Sequence, residues 1–191
     1  MECYGGDEEV YQPFKIRNIQ NYNPCFDLFF EMNESNYDSI TLNHKYCIKD
    51  LKTVLNMESN KDENKDVFVK FAPLLDPIHY LIGKYSESKD VLRTLPKFNS
   101  SQDQSTPIFH KLQDRNNASY VDNFFYFLSS NLLNHHNCSH GIDYFGSFSG
   151  IQDKYNFNAT DDIDYLIQSP YFTENRDGLY EFDNESAFHG G

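Results

Sequence analysis

Lys70 is the residue of this sequence best placed to do chemistry. It lies within Val67-Phe68-Val69-Lys70-Phe71, an apolar and β-branched run that predicts a strand. An ammonium among apolar neighbours is costly to bury alone, so the position invites a partner. The plain alternative is an edge lysine that faces water and blocks edge-to-edge pairing. Asp122, near the start of the best predicted helix, is suited to a capping box with Ser119.

Three other groupings carry potential ligands. His135-His136-Asn137-Cys138-Ser139-His140 holds four in six residues, yet its spacing fits no standard zinc motif. Histidines are also favourable where a helix ends. Asp161, Asp162 and Asp164 could hold Mg²⁺, but acids in a first helical turn are favoured by the helix dipole alone. A metal-dependent nuclease or phosphatase built on them lacks a matching histidine pattern. Asp143-Tyr144-Phe145-Gly146 reads as a strand with a turn. The sequence contains no Walker A motif, GxSxG, HExxH or GxGxxG.

The elements that would position these residues can be read from punctuation and period. Residues 1 to about 12 read as a frayed acidic terminus. Ser39-Ile40-Thr41-Leu42 is a candidate strand. Ile48, Leu51, Val54 and Leu55 have helical spacing over Ile48 to Met57. Glu58 to Asp66 (ESNKDENKD) has no apolar residue and predicts an exposed linker. Asp76 as N-cap, Pro77 at the first helical position and Gly83 as stop predict a short helix over Ile78 to Ile82. Residues 84–116 are polar and turn-rich, with a loop at Asn99 to Thr106. The longest helix follows, with Val121, Phe124, Phe125, Leu128 and Leu132 on one stripe expected to pack on a core. His140 to Ile151 reads as a strand or hairpin, and Thr160 caps a last helix. The order strand–helix–helix–strand–helix predicts an α+β fold.

Composition narrows the class of partner. The 191 residues include 17 Phe and 14 Tyr, enough for a core built mostly of aromatic rings. Net charge is −13 and pI about 4.8, which disfavours nucleic acid and anionic membrane surfaces. Such acidity often serves solubility alone. No run of apolar residues is long enough to span a bilayer, and the first residues lack a signal-peptide pattern. Cys3, Cys25, Cys47 and Cys138 are therefore expected to be free thiols. The six N-x-S/T triplets, at Asn33, Asn99, Asn117, Asn137, Asn158 and Asn184, are expected to carry no glycan.

Four blocks together resemble a known family. Val67 to Tyr85 (VFVKFAPLLDPIHYLIGKY), Asn116 to Leu133 (NNASYVDNFFYFLSSNLL), His140 to Ile151 (HGIDYFGSFSGI) and Asp161 to Phe172 (DDIDYLIQSPYF) are similar to the N-terminal region of protein-kinase-like proteins of giant DNA viruses. The resemblance covers roughly residues 66–182. It implies a kinase N-lobe-like region over 66–191: an antiparallel sheet with a packed amphipathic helix, incomplete and without its C-lobe. Residues 1–65 would be an N-terminal extension ending in the charged linker. It further implies that Lys70 meets the phosphates of ATP with Mg²⁺, and that Asp122 stands where kinases have a helix glutamate. The parent would transfer phosphate to Ser or Thr of a protein substrate, in the host cytoplasm or virion.

The sequence also departs from the family. No glycine occurs between Gly6 and Gly83, so no glycine-rich loop precedes Lys70. Asp143-Tyr144-Phe145-Gly146 has one residue too many for Asp-Phe-Gly, and no His-x-Asp catalytic loop precedes it. These 191 residues alone are therefore expected to be inactive, as a truncated product or fragment. The alternative expectation is a non-enzymatic viral interaction protein or pseudokinase scaffold, with acidic charge suited to a basic partner.

Overall fold

The computed structural model describes residues 10–11, 14–38, 45–85, 88–99 and 106–182. The acidic start, Cys3, the candidate strand Ser39 to Leu42, most of the Asn99 to Thr106 loop and the triplet at Asn184 lie outside them. In chain order the elements are β1 (Ile16–Gln20), a 3-10 turn (Pro24–Leu28), β2 (Tyr46–Ile48), β3 (Thr53–Asn56), β4 (Lys61–Asn64), α1 (Pro77–Leu81), α2 (Lys89–Leu92), α3 (Pro107–Gln113), α4 (Ala118–His136), β5 (Ser149–Gln152), a 3-10 turn (Thr160–Asp162), α5 (Ile163–Ile167), α6 (Pro170–Glu174) and α7 (Arg176–Leu179). The fold is α+β, with small antiparallel sheets and several helices. Two units divide the chain: Met1–Leu74 with Lys89–Tyr155, and Leu75–Ser88 with Asn156–Gly191.

In the first unit, β2, β3 and β4 form a three-stranded meander and β1 pairs with β5. This corrects two expectations. Ile48 to Met57 is a hairpin rather than a helix, with Ile48 opposite Val54 and Cys47 opposite Leu55. The Asp50 carboxylate accepts the Lys52 N–H and fixes the turn, while β-branched Ile48, Thr53 and Val54 favour the pleat. Glu58 to Asp66 is not a loop throughout. Asn56 accepts the N–H groups of Glu58 and Ser59, Asn60 takes φ 53°, and the chain returns as β4.

Residues 67–71 are a third correction. They are extended, with Val67 and Val69 turned inward and Phe68 and Lys70 outward, but they are not a strand. The ladder continues past β4 only through Lys65 N–H to Lys52 and Val67 N–H to Leu51. Beyond that, its partner strand has already turned back at residues 49–52, and no described strand pairs with these residues. β5 is correspondingly not their ladder neighbour; it pairs with β1 around an irregularity at Asn18, whose φ is 53°. Val67 and Val69 still share a core with Phe14, Ile16, Ile48, Phe145 and Phe148.

α4 is the longest helix, at 19 residues. Its N-cap is Asn117, which accepts the Ser119 N–H. Ser119 does not cap it; its hydroxyl donates to the Pro73 carbonyl. Asn137, left-handed at φ 53°, ends the helix. Its buried side is not the expected stripe. Tyr120 and Phe124 pack with Cys25, Phe26 and Tyr144, whereas Val121, Phe125, Leu128 and Leu132 are exposed. The polar tract 84–116 also holds α3, capped by Thr106 with Pro107 behind it and anchored by Ile108 and Leu112.

The second unit gathers Leu81 of α1, Leu166 of α5 and Phe172 of α6. The Asp76 carboxylate accepts the N–H groups of Ile78 and His79, and Gly83 stops α1 at φ 71°. Thr160 does not cap α5 as expected; it starts the 3-10 turn, and no side chain caps α5. A Cβ at Gly83 would meet three atoms of the Tyr171 ring at 2.7–2.9 Å. Gly83→Ala thus combines a disfavoured backbone with overpacking and is expected to cost about 2 kcal/mol. A urea midpoint unchanged in that variant would refute the close approach.

Candidate functional site

The first unit brings Lys70 and Asp122 together. Lys70 Nζ donates to Asp122 Oδ2 at 2.5 Å, across 52 residues of sequence. The extended backbone from Val67 turns Val69 into the core and Lys70 outward, toward the first turns of α4. Asp122 is available because Asn117 does the capping. Tyr126, one turn later, places its ring 5.6 Å from the same ammonium. The hydrogen bond that Lys70 donates to Asp122 is the main influence raising the Lys70 pKa above its ordinary value, so the ammonium stays charged. Both side chains remain open to solvent, at 48% and 37% exposure. As a surface pair it contributes little to stability; a phosphate group could still reach the ammonium from the solvent side.

The other groupings resolve into structural duties. Asp143 accepts the Ser130 hydroxyl and the Asn134 amide, both at 3.2 Å. Ser130, buried within α4, also accepts the Tyr144 N–H. The Tyr144 hydroxyl contacts Asn123 and Ser147 at 3.0 and 2.8 Å. Residues 143–147 thus clamp the chain onto α4. His135 and His136 occupy the last turn of α4, and Asp161, Asp162 and Asp164 lie exposed around the start of α5. Among the described residues no group of three or more His, Cys, Asp or Glu could hold a metal ion. No described helix is long and apolar enough to cross a membrane.

A cleft of about 1200 Å³ opens elsewhere in this unit, lined among others by Tyr22, Lys97, Phe98, Phe109, His110 and Arg115. Arg115 is held by Asp27 at 2.6 Å. Lys70 and Asp122 do not line the cleft. The sequence offered no motif for it, because its walls come from the 3-10 turn, α3 and the connecting segments around residues 32–35 and 97–99, none of which carries a long period. No family model, curated protein or solved structure matches the chain.

Proposed function

We propose that the chain is the nucleotide-contacting, N-terminal portion of a protein-kinase-like protein of the giant-virus type, with Lys70 meeting the phosphates of ATP and Asp122 orienting it. One observation carries this reading: the ion pair between a lysine on an extended segment and the lone carboxylate of the long helix. Kinases use a lysine–carboxylate pair of this kind to hold the α- and β-phosphates. The four sequence blocks add support, and the separate sheets do not. No described cluster fits Mg²⁺, so no step is assigned to the metal, which would arrive with the nucleotide. The residues of this chain would bind and orient ATP; transfer to a protein substrate would fall to the C-lobe of the parent.

The test is thermal unfolding with millimolar Mg-ATP. A ligand that binds only the folded chain raises the midpoint by mass action. The native chain is expected to shift upward, Lys70→Ala to lose the shift, and Asp122→Asn to weaken it. An absent shift, or one that survives Lys70→Ala, overturns the proposal.

A second reading is favoured by a different observation, the solvent-facing apolar stripe of α4. A non-enzymatic interaction protein would use such a face to bind a partner.

A further inference from the structure

α4 turns two apolar surfaces outward from its axis, and among the described residues only one is buried in a core. Tyr120 and Phe124 are buried against Phe26 and Tyr144. Val121, Phe125, Leu128 and Leu132 stand 46%, 66%, 43% and 49% exposed. Their spacing, i, i+4, i+7 and i+11, puts all four on one stripe about 16 Å long.

The stripe is widened on both flanks. Phe29, itself more than half exposed, stacks on Phe124 with ring centroids 4.1 Å apart and planes 17° off parallel. Phe124 neighbours Val121 and Leu128 on the helix surface, so Phe29 extends that edge. On the other side the Ile142 N–H donates to the Ser129 hydroxyl at 2.9 Å. Ser129 neighbours Phe125 and Leu132, and Ile142 is 56% exposed. Six large exposed apolar side chains thus lie on and beside one face of α4, an arrangement that monomeric proteins seldom leave bare.

Charge selects the occupant. Apart from its terminal histidines, α4 carries one ionisable side chain with a formal charge, Asp122. The cation that reaches it, Lys70, is engaged by that carboxylate. Glu31, two residues from Phe29, is exposed. The chain as a whole carries −13, which opposes a second copy and draws a cation-rich partner. We infer that this face is a docking groove for a basic amphipathic helix of another protein, its apolar residues laid along Val121–Leu132 and its lysines or arginines flanking them. Helix-in-groove recognition of this type reads anchors at i, i+3, i+4 and i+7. The inference rests on the interaction reading above and names its partner class.

The test uses two labelled synthetic peptides of about 18 residues, five helical turns. One has a leucine stripe with lysines elsewhere; the other has the same stripe with glutamates. Binding to the full chain is followed by fluorescence anisotropy, and association by sedimentation equilibrium. The comparison variant is Phe125→Asp with Leu128→Asp, both on the solvent face, its fold checked by circular dichroism. The leucine–lysine peptide is expected to bind, and the double variant to weaken it at least about ten-fold. That loss is diagnostic, because two added carboxylates would strengthen a purely electrostatic attraction. Equal binding of the glutamate peptide overturns the basic occupant but leaves the face a binding surface. So does a dimer that the double variant dissolves. Lysine-peptide binding unchanged in the double variant, or no binding and no association at all, overturns both the occupant and the interaction reading.

Discussion

Phe172→Ala is expected to lower the stability of the fold by about 3–5 kcal/mol, the range for emptying a buried aromatic site. Phe172 is 1% exposed and belongs to a small core with Leu81 and Leu166. Its ring stacks on Tyr180 at 4.3 Å with planes 5° apart, and meets Phe182 edge-on at 6.3 Å. The Tyr180 hydroxyl donates to the Phe172 carbonyl at 2.8 Å, so side chain and backbone are held by the same neighbour. The helices here are four or five residues long, too short to persist by propensity. Their order depends on this shared core, and the cavity cannot be closed by one of them without losing contact with another. The check is a urea titration followed by near-ultraviolet tyrosine circular dichroism. Tyr180→Phe, which keeps the stack and loses one hydrogen bond, should cost only about 1 kcal/mol. A Phe172→Ala cost no larger than that of Tyr180→Phe would mean that the ring is not a core residue.

What the sequence makes legible follows from how local each determinant is. Asp76, Pro77 and Gly83 act within one turn of the backbone they control, and α1 falls where they place it. Thr106 and Pro107 carry the same kind of signal for α3, with Ile108 and Leu112 four apart; the polar surroundings hid it. The hairpin of β2 and β3 was illegible because Ile48, Leu51, Val54 and Leu55 satisfy a helical period equally well. Only the Asp50 turn and the pairing with β4 decide between them. α4 exists where its period predicts, but a period fixes which residues share a face and not which face meets the core. That choice belongs to Phe26 and Tyr144, far away in sequence. Phe124 went inward, and the rest of its stripe stayed outside. The pairing of Lys70 was easier to foresee, because α4 offers a single carboxylate. The loss of its strand was not, since it depends on where β3 turns back.

Raising the pH from about 10 toward about 12 is expected to destabilise the fold by about 3 kcal/mol or more through two buried tyrosines. Burial pushes the Tyr144 hydroxyl up to about 12, a rise that its hydrogen bond with Ser147 offsets only in part. Burial likewise pushes Tyr120 up, where its hydroxyl donates to the Leu112 carbonyl at 2.8 Å. The sign follows from which state holds the proton. Below pH 10 both states are protonated and the contribution is constant. Above it the unfolded chain releases its phenolic protons while the folded chain keeps them, so unfolding gains about 1.4 kcal/mol per unit for each tyrosine until the folded group also ionises. The buried Cys25 thiol, also raised by burial, acts in the same sense from lower pH. Urea midpoints of the native chain and of the double variant Tyr120→Phe with Tyr144→Phe separate these contributions. The variant gives up hydroxyl contacts to Leu112, Asn123 and Ser147, so it starts less stable at neutral pH. Its alkaline decline should then be shallower than that of the native chain, and the two curves should converge as pH rises. Parallel curves across this range would place both hydroxyls in water, and with them would fall the packing of α4 on the Phe26 and Tyr144 core from which the exposed stripe of the same helix was read.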